Sequence, residues 1–358
     1  MKKQATVKDI ARAAGVSITT VSLALRGKDA NRISSATCEK VLAIAKTLNY
    51  QPNFAARSLV NKQSNIIGLL IKTLLNPFYS ELAQDIIGRA QERGYRVITC
   101  SVEDGVDNHK AEIRELISHG VDGLIVCAAL LDDKFVFELI DSGLPVALAM
   151  RYVQDQLGSP AVDFVGIDNP RGAYLAIEHL VKMGHRKIAL MVGPKNTSTG
   201  QDRLQGAQVC FDTYGIDFDS RLVVEGDFSR RSGHELTRGL IGKGNEFTAI
   251  FTTNDHMALG VLDALQEAGL RVPQDVAVVG FDDIEMAGLP GVGLTTVSQK
   301  KTVMGRTVVD VLVSKIKMES VETVRRVVLE PKLIIRDTCG FKARESRYDQ
   351  ILPVRESV

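Results

Sequence analysis

The chain has 358 residues, a hydrophobic content of 45% and a formal net charge of +1 at pH 7. This length suits a small module joined to a larger two-lobed body, and the apolar content supports large buried cores. The longest apolar run, Leu124 to Leu131, is too short for a membrane span, and the first residues lack the apolar segment of a signal peptide. We therefore expect a cytoplasmic protein with no membrane partner.

Positive charge is concentrated at the N-terminal end of the chain. Residues 1–63 contain eleven Lys or Arg residues and three acidic residues, which gives this segment a net charge of +8. Because the whole chain carries only +1, the remaining residues carry about −7. The pattern indicates a module that binds a polyanion, attached to an acidic body.

The first two predicted elements are short helices joined by a glycine turn. Thr6 and Asp9 form a capping pattern, and Gly15 can end the first helix because glycine adopts the left-handed conformation easily. Ser17 can cap a second helix, which Gly27 ends. The residues predicted to face inward are Val7, Ile10, Ala11, Ala14, Val21, Ala24 and Leu25. The arrangement predicts a helix-turn-helix whose second helix enters the major groove, and a helix pair from any small bundle is the alternative.

A third helix is predicted from Ser34 or Ser35 to Leu48. Its apolar residues recur at helical spacing and predict a buried stripe. They are Cys38, Val41, Leu42, Ala45 and Leu48. The three helices would form a core too small to be very stable alone.

Several short motifs in and after these helices form one specific signature. They are Val7-Lys8-Asp9-Ile10-Ala11, Ala14-Gly15-Val16-Ser17, Thr20-Val21-Ser22, Pro52-Asn53, Ala56-Arg57-Ser58-Leu59 and Ile67-Gly68. The signature resembles the lactose/galactose repressor family of bacterial transcription regulators. This resemblance implies a DNA-binding domain over residues 1–50 and a hinge helix with its linker over residues 51–65.

The resemblance also implies which side chains contact DNA. In the headpiece they are Thr6, Ser17, Ile18, Thr19, Thr20, Ser22 and Leu23, and in the hinge they are Asn53, Ala56, Arg57 and Leu59. The hinge would fold only on DNA and place Leu59 as an apolar wedge in the minor groove. At the usual base-reading positions, Ile18 and Leu23 can pack against thymine methyl groups and Thr19 can bond a base edge, but no arginine reads guanine.

The body after Gly68 alternates apolar runs with helical stretches. Strands are predicted at 66–71, 95–100, 123–128, 145–149, 164–167, 188–192, 223–224, 249–252 and 276–281. Helices are predicted at 78–93, 108–119, 134–142, 172–183, 203–214, 232–241 and 256–268. Such alternation predicts parallel sheets with helices on both faces, and so many strands favour two lobes over one.

The resemblance extends over residues 66–340 and implies a two-lobed α/β core like a type I periplasmic-binding protein, behind an all-α helix-turn-helix headpiece. It places one lobe at about 66–166 with 298–325 and the other at about 167–297 with 326–340. The tail, 341–358, has no leucine heptad of the kind that forms a tetramer, so a homodimer is expected.

Polar and aromatic residues at strand ends are candidates for an effector cleft, because ligands of parallel sheets bind beyond the carboxyl ends of strands. By resemblance, the apolar walls are Phe78, Tyr79 and Phe228, and the polar contacts are Asp168, Arg203, Asn254, Asp282 and Gln299. Carboxylates and an arginine fork suit a polyhydroxylated ligand. The chain has no Trp, so any surface that stacks on a sugar must come from Phe or Tyr. Helix capping is the alternative role for each polar residue, and it is favoured for Asp255 and Asp283.

No catalytic signature, metal-ligand spacing or nucleotide fingerprint stands out, so we expect no enzyme activity, no metal and no cofactor. Five widely spaced cysteines are typical of buried free thiols in a reducing cytoplasm. The sequence predicts a DNA-binding transcription regulator, a repressor of a near-palindromic operator, controlled by a small carbohydrate-like effector. The alternative is a solute-binding sensor whose basic headpiece binds a partner other than DNA.

Overall fold

The structure, a computed structural model, describes residues 5–26, 33–50, 63–102, 106–154, 162–318 and 324–340. The chain divides into two compact units, Met1–Ser64 and Asn65–Val358. Within the described residues, no helix is both long and apolar enough to cross a membrane.

The first unit contains three helices, α1 (Val7–Ala14), α2 (Ile18–Arg26) and α3 (Ser35–Thr47). Thr6 and Asp9 form the predicted capping box at the start of α1. Gly15 follows α1 in the left-handed region with φ 68°, which confirms the predicted turn. The Ser17 hydroxyl accepts a hydrogen bond from the Thr20 amide at 3.1 Å and caps α2.

The headpiece core is small, and its buried residues are Ile10, Ala11, Ala14, Val21, Ala24, Val41 and Ala45. The predicted stripe on α3 is partly wrong, because Leu42 is 47% exposed and Leu48 is 38% exposed. Only α1 and α2 pack against α3 among the described headpiece residues. They cover the face that carries Val41 and Ala45, while Leu42 lies about 100° further round the helix and Leu48 follows the helix end.

The second unit begins with a six-stranded parallel sheet, which defines the first lobe. Its strands lie in the order β11-β5-β4-β3-β1-β2. Their bounds are β1 Ile66–Ile71, β2 Arg96–Ser101, β3 Gly123–Val126, β4 Val146–Ala149, β5 Asp163–Ile167 and β11 Arg326–Leu329. The helices are α4 Pro77–Glu92, α5 Val106–Ser118, α6 Lys134–Asp141 and α11 Lys301–Ile316. Alternate strand residues enter two apolar clusters, so helices cover both faces of the sheet.

A four-stranded parallel sheet in the order β7-β6-β8-β9 defines the second lobe. Its strands are β6 Ile188–Val192, β7 Val223–Glu225, β8 Ala249–Thr252 and β9 Ala277–Val279. Its helices are α7 Asn169–Lys182, α8 Ser198–Thr213, α9 Arg230–Gly242 and α10 Asp255–Glu267. A two-stranded antiparallel sheet of β10 (Thr296–Ser298) and β12 (Lys332–Ile334) lies against α7.

One detail of the lobe prediction is wrong. Residues 326–329 were predicted in the second lobe, but Val327 pairs with Val165 of β5, which places β11 in the first sheet. The chain therefore leaves the first lobe for the last time after Leu329. The strands β10, β11 and β12, which are three or four residues long, have no counterpart among the predicted elements, and neither does the 16-residue helix α11.

The start of α8 also differs from the prediction that Arg203 opens a helix. Thr197 is the N-cap, and its hydroxyl accepts from the Gly200 amide at 3.1 Å. The helix therefore begins at Ser198 and Arg203 lies in its second turn. The five cysteines are free as predicted, although Cys38 and Cys100 are only half-buried.

Helices α9 and α10 approach closely because each has a glycine at their contact. A Cβ atom built on Gly260 would lie 1.9 Å from the Arg230 carbonyl oxygen. We predict that Gly260→Ala forces the helices apart and lowers the free energy of unfolding by about 1–3 kcal/mol, the usual cost of overpacking. Gly239→Ala on the exposed face of α9 is the matched control, because a Cβ atom at Gly239 meets nothing within 4 Å. This control should raise the stability by about 0.5–1 kcal/mol. Equal thermal denaturation midpoints for the two variants would contradict the prediction.

Candidate functional site

The first candidate surface is the exposed start of α2 in the headpiece. Ile18 is 49% exposed, Thr19 is exposed and Leu23 is half-buried. Ser17 and Thr20 use their hydroxyl groups locally, 2.9 Å apart. Residues at the beginning of a recognition helix are the ones that reach base edges in the major groove.

The remaining predicted DNA contacts are divided between described and undescribed residues. Thr6 is exposed but uses its hydroxyl in the capping box, where it donates to Asp9 at 2.7 Å. Ser22 is half-buried on α2. The hinge predictions, Asn53, Ala56, Arg57 and Leu59, lie outside the described residues.

The apolar exposure of Ile18 gives a test of base reading. If Ile18 and Leu23 touch thymine methyl groups, replacing thymine by uracil at the touched steps should weaken binding threefold to fivefold, since burying one methyl group is worth about 0.8 kcal/mol. The measurement is an operator titration with a uracil scan of one half-site at fixed salt. A half-site in which no uracil changes the affinity would show that these side chains do not read thymine.

The second candidate site is a narrow cavity between the two lobes. Its walls come from loops and helix starts that follow strands, as predicted for parallel sheets. The lining residues are Asn76, Phe78, Tyr79, Met150, Arg151, Thr199, Arg203, Phe228, Asn254, Asp282 and Gln299.

Every predicted effector residue except Asp168 lies in this lining. Asp168 instead caps α7, where its carboxylate accepts from the Arg171 amide at 2.9 Å. The sequence interpretation missed Met150, Arg151 and Thr199. The signal for Arg151 was available, because this charged residue lies two positions after the end of the buried strand β4.

Arg203 organises the polar side of the cavity. Its Nε donates to Asn169 Oδ1 at 2.8 Å, and its Nη1 donates to the carbonyl oxygen of Thr253. The same Nη1 lies 3.6 Å from Asp282 Oδ1, and the guanidinium stacks 3.8 Å from the centre of the Phe281 ring. This arrangement holds a buried guanidinium in one orientation.

Burial governs the charge of the Arg203–Asp282 pair. Loss of hydration raises the pKa of Asp282 to about 8, although Arg203 and the amide of Gln299 oppose the rise. Burial likewise lowers the pKa of Arg203 to about 10. The arginine stays charged at neutral pH, whereas the carboxyl group is close to its titration range.

The pKa of Asp282 predicts how stability changes with pH. Between pH 4 and pH 8 the folded protein holds a proton on Asp282 that the unfolded chain has released, so this group's contribution to stability decreases as the pH rises. Asp282→Asn cannot titrate and should lose less stability over that range. Thermal denaturation at pH 5 and pH 8 measures the difference, and parallel curves for the wild type and the variant would refute it.

Three residues with a strained backbone line the cavity. Met150, Phe228 and Asp282 line it, and each has a positive φ, of 65°, 68° and 132°. Residues other than glycine adopt this region rarely, at a cost of about 1–3 kcal/mol each. Gly193 makes room for the Phe228 ring, since a Cβ atom there would lie 1.9 Å from it. Packing thus holds these side chains toward the cavity.

Four lining residues have buried polar atoms without a hydrogen-bond partner among the described residues. The atoms are Arg151 Nε, Thr199 Oγ1, Arg203 Nη2 and Gln299 Oε1. Buried polar atoms are nearly always satisfied in folded proteins. Their convergence on one cavity indicates a polar ligand with several hydrogen-bonding groups.

Asp255 and Asp283 do not line the cavity, and neither caps a helix as predicted. Asp255 Oδ1 accepts from the Thr296 hydroxyl at 2.5 Å, while Asn254 caps α10. Asp283 pairs with Arg336 at 2.7 Å. Both carboxylates therefore join loops of the second lobe.

The chain is similar to known regulators over almost its full length. It is 36% identical to the ribose operon repressor of Escherichia coli (strain K12), a match covering 93% of this chain and 99% of that protein. It is 34% identical to the HTH-type transcriptional repressor PurR of Photobacterium profundum, covering 93% and 98%. Residues 6–53 match the bacterial regulatory proteins of the lacI family, and residues 177–339 match the periplasmic binding protein-like domain. The chain belongs to the lacI family.

Solved structures of lacI-family proteins agree with this fold. The lac repressor dimer bound to operator and the anti-inducer ONPF has a TM-score of 0.82 and 34% identity, and the match covers 94% of this chain and 99% of that one. The complex of the transcriptional regulator CelR with cellobiose has a TM-score of 0.70 and 31% identity, covering 94% and 100%. The predicted fold class and the prediction of a DNA-binding transcription regulator are confirmed.

Proposed function

We propose that this lacI-family protein is a cytoplasmic repressor that binds a near-palindromic operator as a homodimer. Its affinity for the operator falls or rises when a small polyhydroxylated effector occupies the inter-lobe cavity. The observation that carries the proposal is the set of partnerless polar atoms converging on that cavity. Hydroxyl groups of a sugar both donate and accept hydrogen bonds, so one such ligand can satisfy hydroxyl, amide and guanidinium groups together.

The walls of the cavity suit a sugar ring. The Phe78 and Tyr79 rings pack edge to face 5.8 Å apart and provide an apolar wall. Relatives named for ribose and solved with cellobiose support a carbohydrate as the effector.

The cavity offers a mechanism because both lobes contribute to it. Tyr79 and Arg151 come from the first lobe, whereas Arg203 and Asp282 come from the second. A ligand that contacts residues of both lobes binds more tightly at one angle between the lobes than at another. This difference in affinity is what shifts the equilibrium between the two lobe arrangements.

Exposed apolar side chains support the homodimer. Leu74 and Leu75, just before α4, are 59% and 84% exposed, and Ile87 on α4 is 43% exposed. Val303 is 48% exposed on α11, which packs against α4. A second copy of the chain would cover these residues, since a two-fold dimer uses the same patch on both subunits.

The test has two steps. Native mass spectrometry of the gently purified full chain identifies the co-purified small molecule and the oligomeric state. Titration of an operator duplex with and without that molecule then measures its effect on DNA affinity, at fixed salt. We expect a dimer and a change of operator affinity of about fivefold to 150-fold, the usual range of allosteric coupling. An operator affinity unaffected by the molecule would contradict effector control.

A further inference from the structure

Arg151 is a buried cation without a carboxylate partner among the described residues. It is 3% exposed, lines the inter-lobe cavity, and its Nε has no hydrogen-bond partner. Its guanidinium carbon lies 5.4 Å from the centre of the Phe228 ring. Arg203 in the same cavity differs, because Asn169, Thr253 and Asp282 surround it.

The charges of the lining residues do not balance. Arg151 and Arg203 bring two positive charges, and the one acidic residue of the lining, Asp282, brings at most one negative charge. Asp282 lies against Arg203 and accepts from the Gln299 amide at 2.5 Å, so it is committed to other partners. One guanidinium therefore faces the cavity uncompensated.

A neutral sugar would leave this imbalance in place. Hydroxyl groups can accept from a guanidinium, but they do not neutralise a buried positive charge. A planar guanidinium fork matches the two oxygens of a carboxylate or a phosphate. Resting on the proposed function, we propose that the effector of this protein carries an oxyanion, as a phosphate ester or a carboxylate, and that Arg151 binds it.

The first test needs no knowledge of the effector. Thermal denaturation of the full chain without added ligand compares Arg151→Met with Arg203→Met. Removing an uncompensated buried cation should raise the denaturation midpoint, whereas removing Arg203 strips partners from Asn169 and Asp282 and should lower it. A fall in the midpoint of Arg151→Met as large as that of Arg203→Met would overturn the proposal, because Arg151 would then be part of the structural framework.

The second test measures anion binding. The probes are glucose, glucose 6-phosphate, gluconate and inorganic phosphate, all at equal ionic strength set with potassium chloride. At least one anionic probe should stabilise the wild type in a saturable manner, and glucose alone should have less effect. Arg151→Met should bind that probe about tenfold to hundredfold more weakly, and Arg151→Lys should recover part of the loss. Comparing glucose 6-phosphate with gluconate shows whether the oxyanion is a phosphate ester or a carboxylate.

Arg151→Met also serves as the control for anion binding to the basic headpiece, because residues 1–63 are identical in the wild type and the variant. Equal stabilisation of the wild type and Arg151→Met, or no response of the wild type to any anionic probe, would overturn the proposal. The proposed function fails separately, since it is judged on operator affinity. A neutral sugar that changes operator affinity equally in the wild type and Arg151→Met would leave effector control standing and remove the role of Arg151.

Discussion

Arg203→Ala should abolish the response to effector while leaving dimerisation and the effector-free operator affinity largely unchanged. Arg203 is 2% exposed and lies between Asn169, Thr253 and Asp282 at the polar wall of the cavity. Loss of one charged hydrogen bond to a buried ligand costs about 1.5–3 kcal/mol, a tenfold to hundredfold weaker affinity. Asp282→Ala should have the same effect, because it removes the carboxyl group beside Arg203 and the acceptor of the Gln299 amide.

Asp168→Ala is the matched control for these variants. The side chain caps α7 and lies outside the cavity lining. Its loss should lower the stability by about 0.5–2 kcal/mol without lowering the affinity for the effector. Calorimetry with the co-purified ligand gives the affinities, and thermal denaturation establishes that each variant is folded. An unchanged effector affinity in both Arg203→Ala and Asp282→Ala would remove these residues from the site. A weakened affinity in Asp168→Ala would return that residue to it.

Ile10→Ala should eliminate binding to every DNA sequence, while Ile18→Ala should weaken specific binding only. The two variants make the same chemical change, but Ile10 is fully buried and Ile18 is 49% exposed. Truncating a buried isoleucine costs about 2–5 kcal/mol. A core of three larger residues and four alanines has little stability beyond that, so the headpiece should unfold.

Two readouts separate the expected results. Titration on operator and on random duplex should show no binding of either by Ile10→Ala, and a loss confined to the operator for Ile18→Ala. Effector affinity should stay unchanged in both, because the cavity lies wholly in the second compact unit. Retention of random-DNA binding by Ile10→Ala would show that the three-helix core does not depend on this residue.

Features encoded by a few neighbouring residues were predictable from the sequence. The capping box of Thr6 and Asp9, the left-handed turn at Gly15 and the cap at Ser17 each depend on local backbone chemistry. The alternation of strands and helices likewise predicted two parallel sheets. Of the eight effector residues predicted from the family resemblance, seven line one cavity.

Features that depend on distant partners were not predictable in the same way. The strand β11 joins the first sheet because β5 offers an unpaired edge, and no local pattern contains that information. Leu42 has the spacing of a buried residue, yet no described headpiece element covers it. The importance of Arg151 follows from which charges surround it, and these come from both lobes.

The central claim is that this chain is a two-fold, sequence-specific DNA-binding regulator. Selection of binding sites from a random duplex library by the full-length protein tests it most directly. We predict enrichment of two related half-sites in inverted orientation, with centres about 34 Å or a multiple apart, as a two-fold helix-turn-helix dimer requires. Their affinity should fall steeply with salt, owing to the net charge of +8 on residues 1–63. Salt-dependent binding with no enriched sequence, or enrichment of a single asymmetric site, would contradict the account.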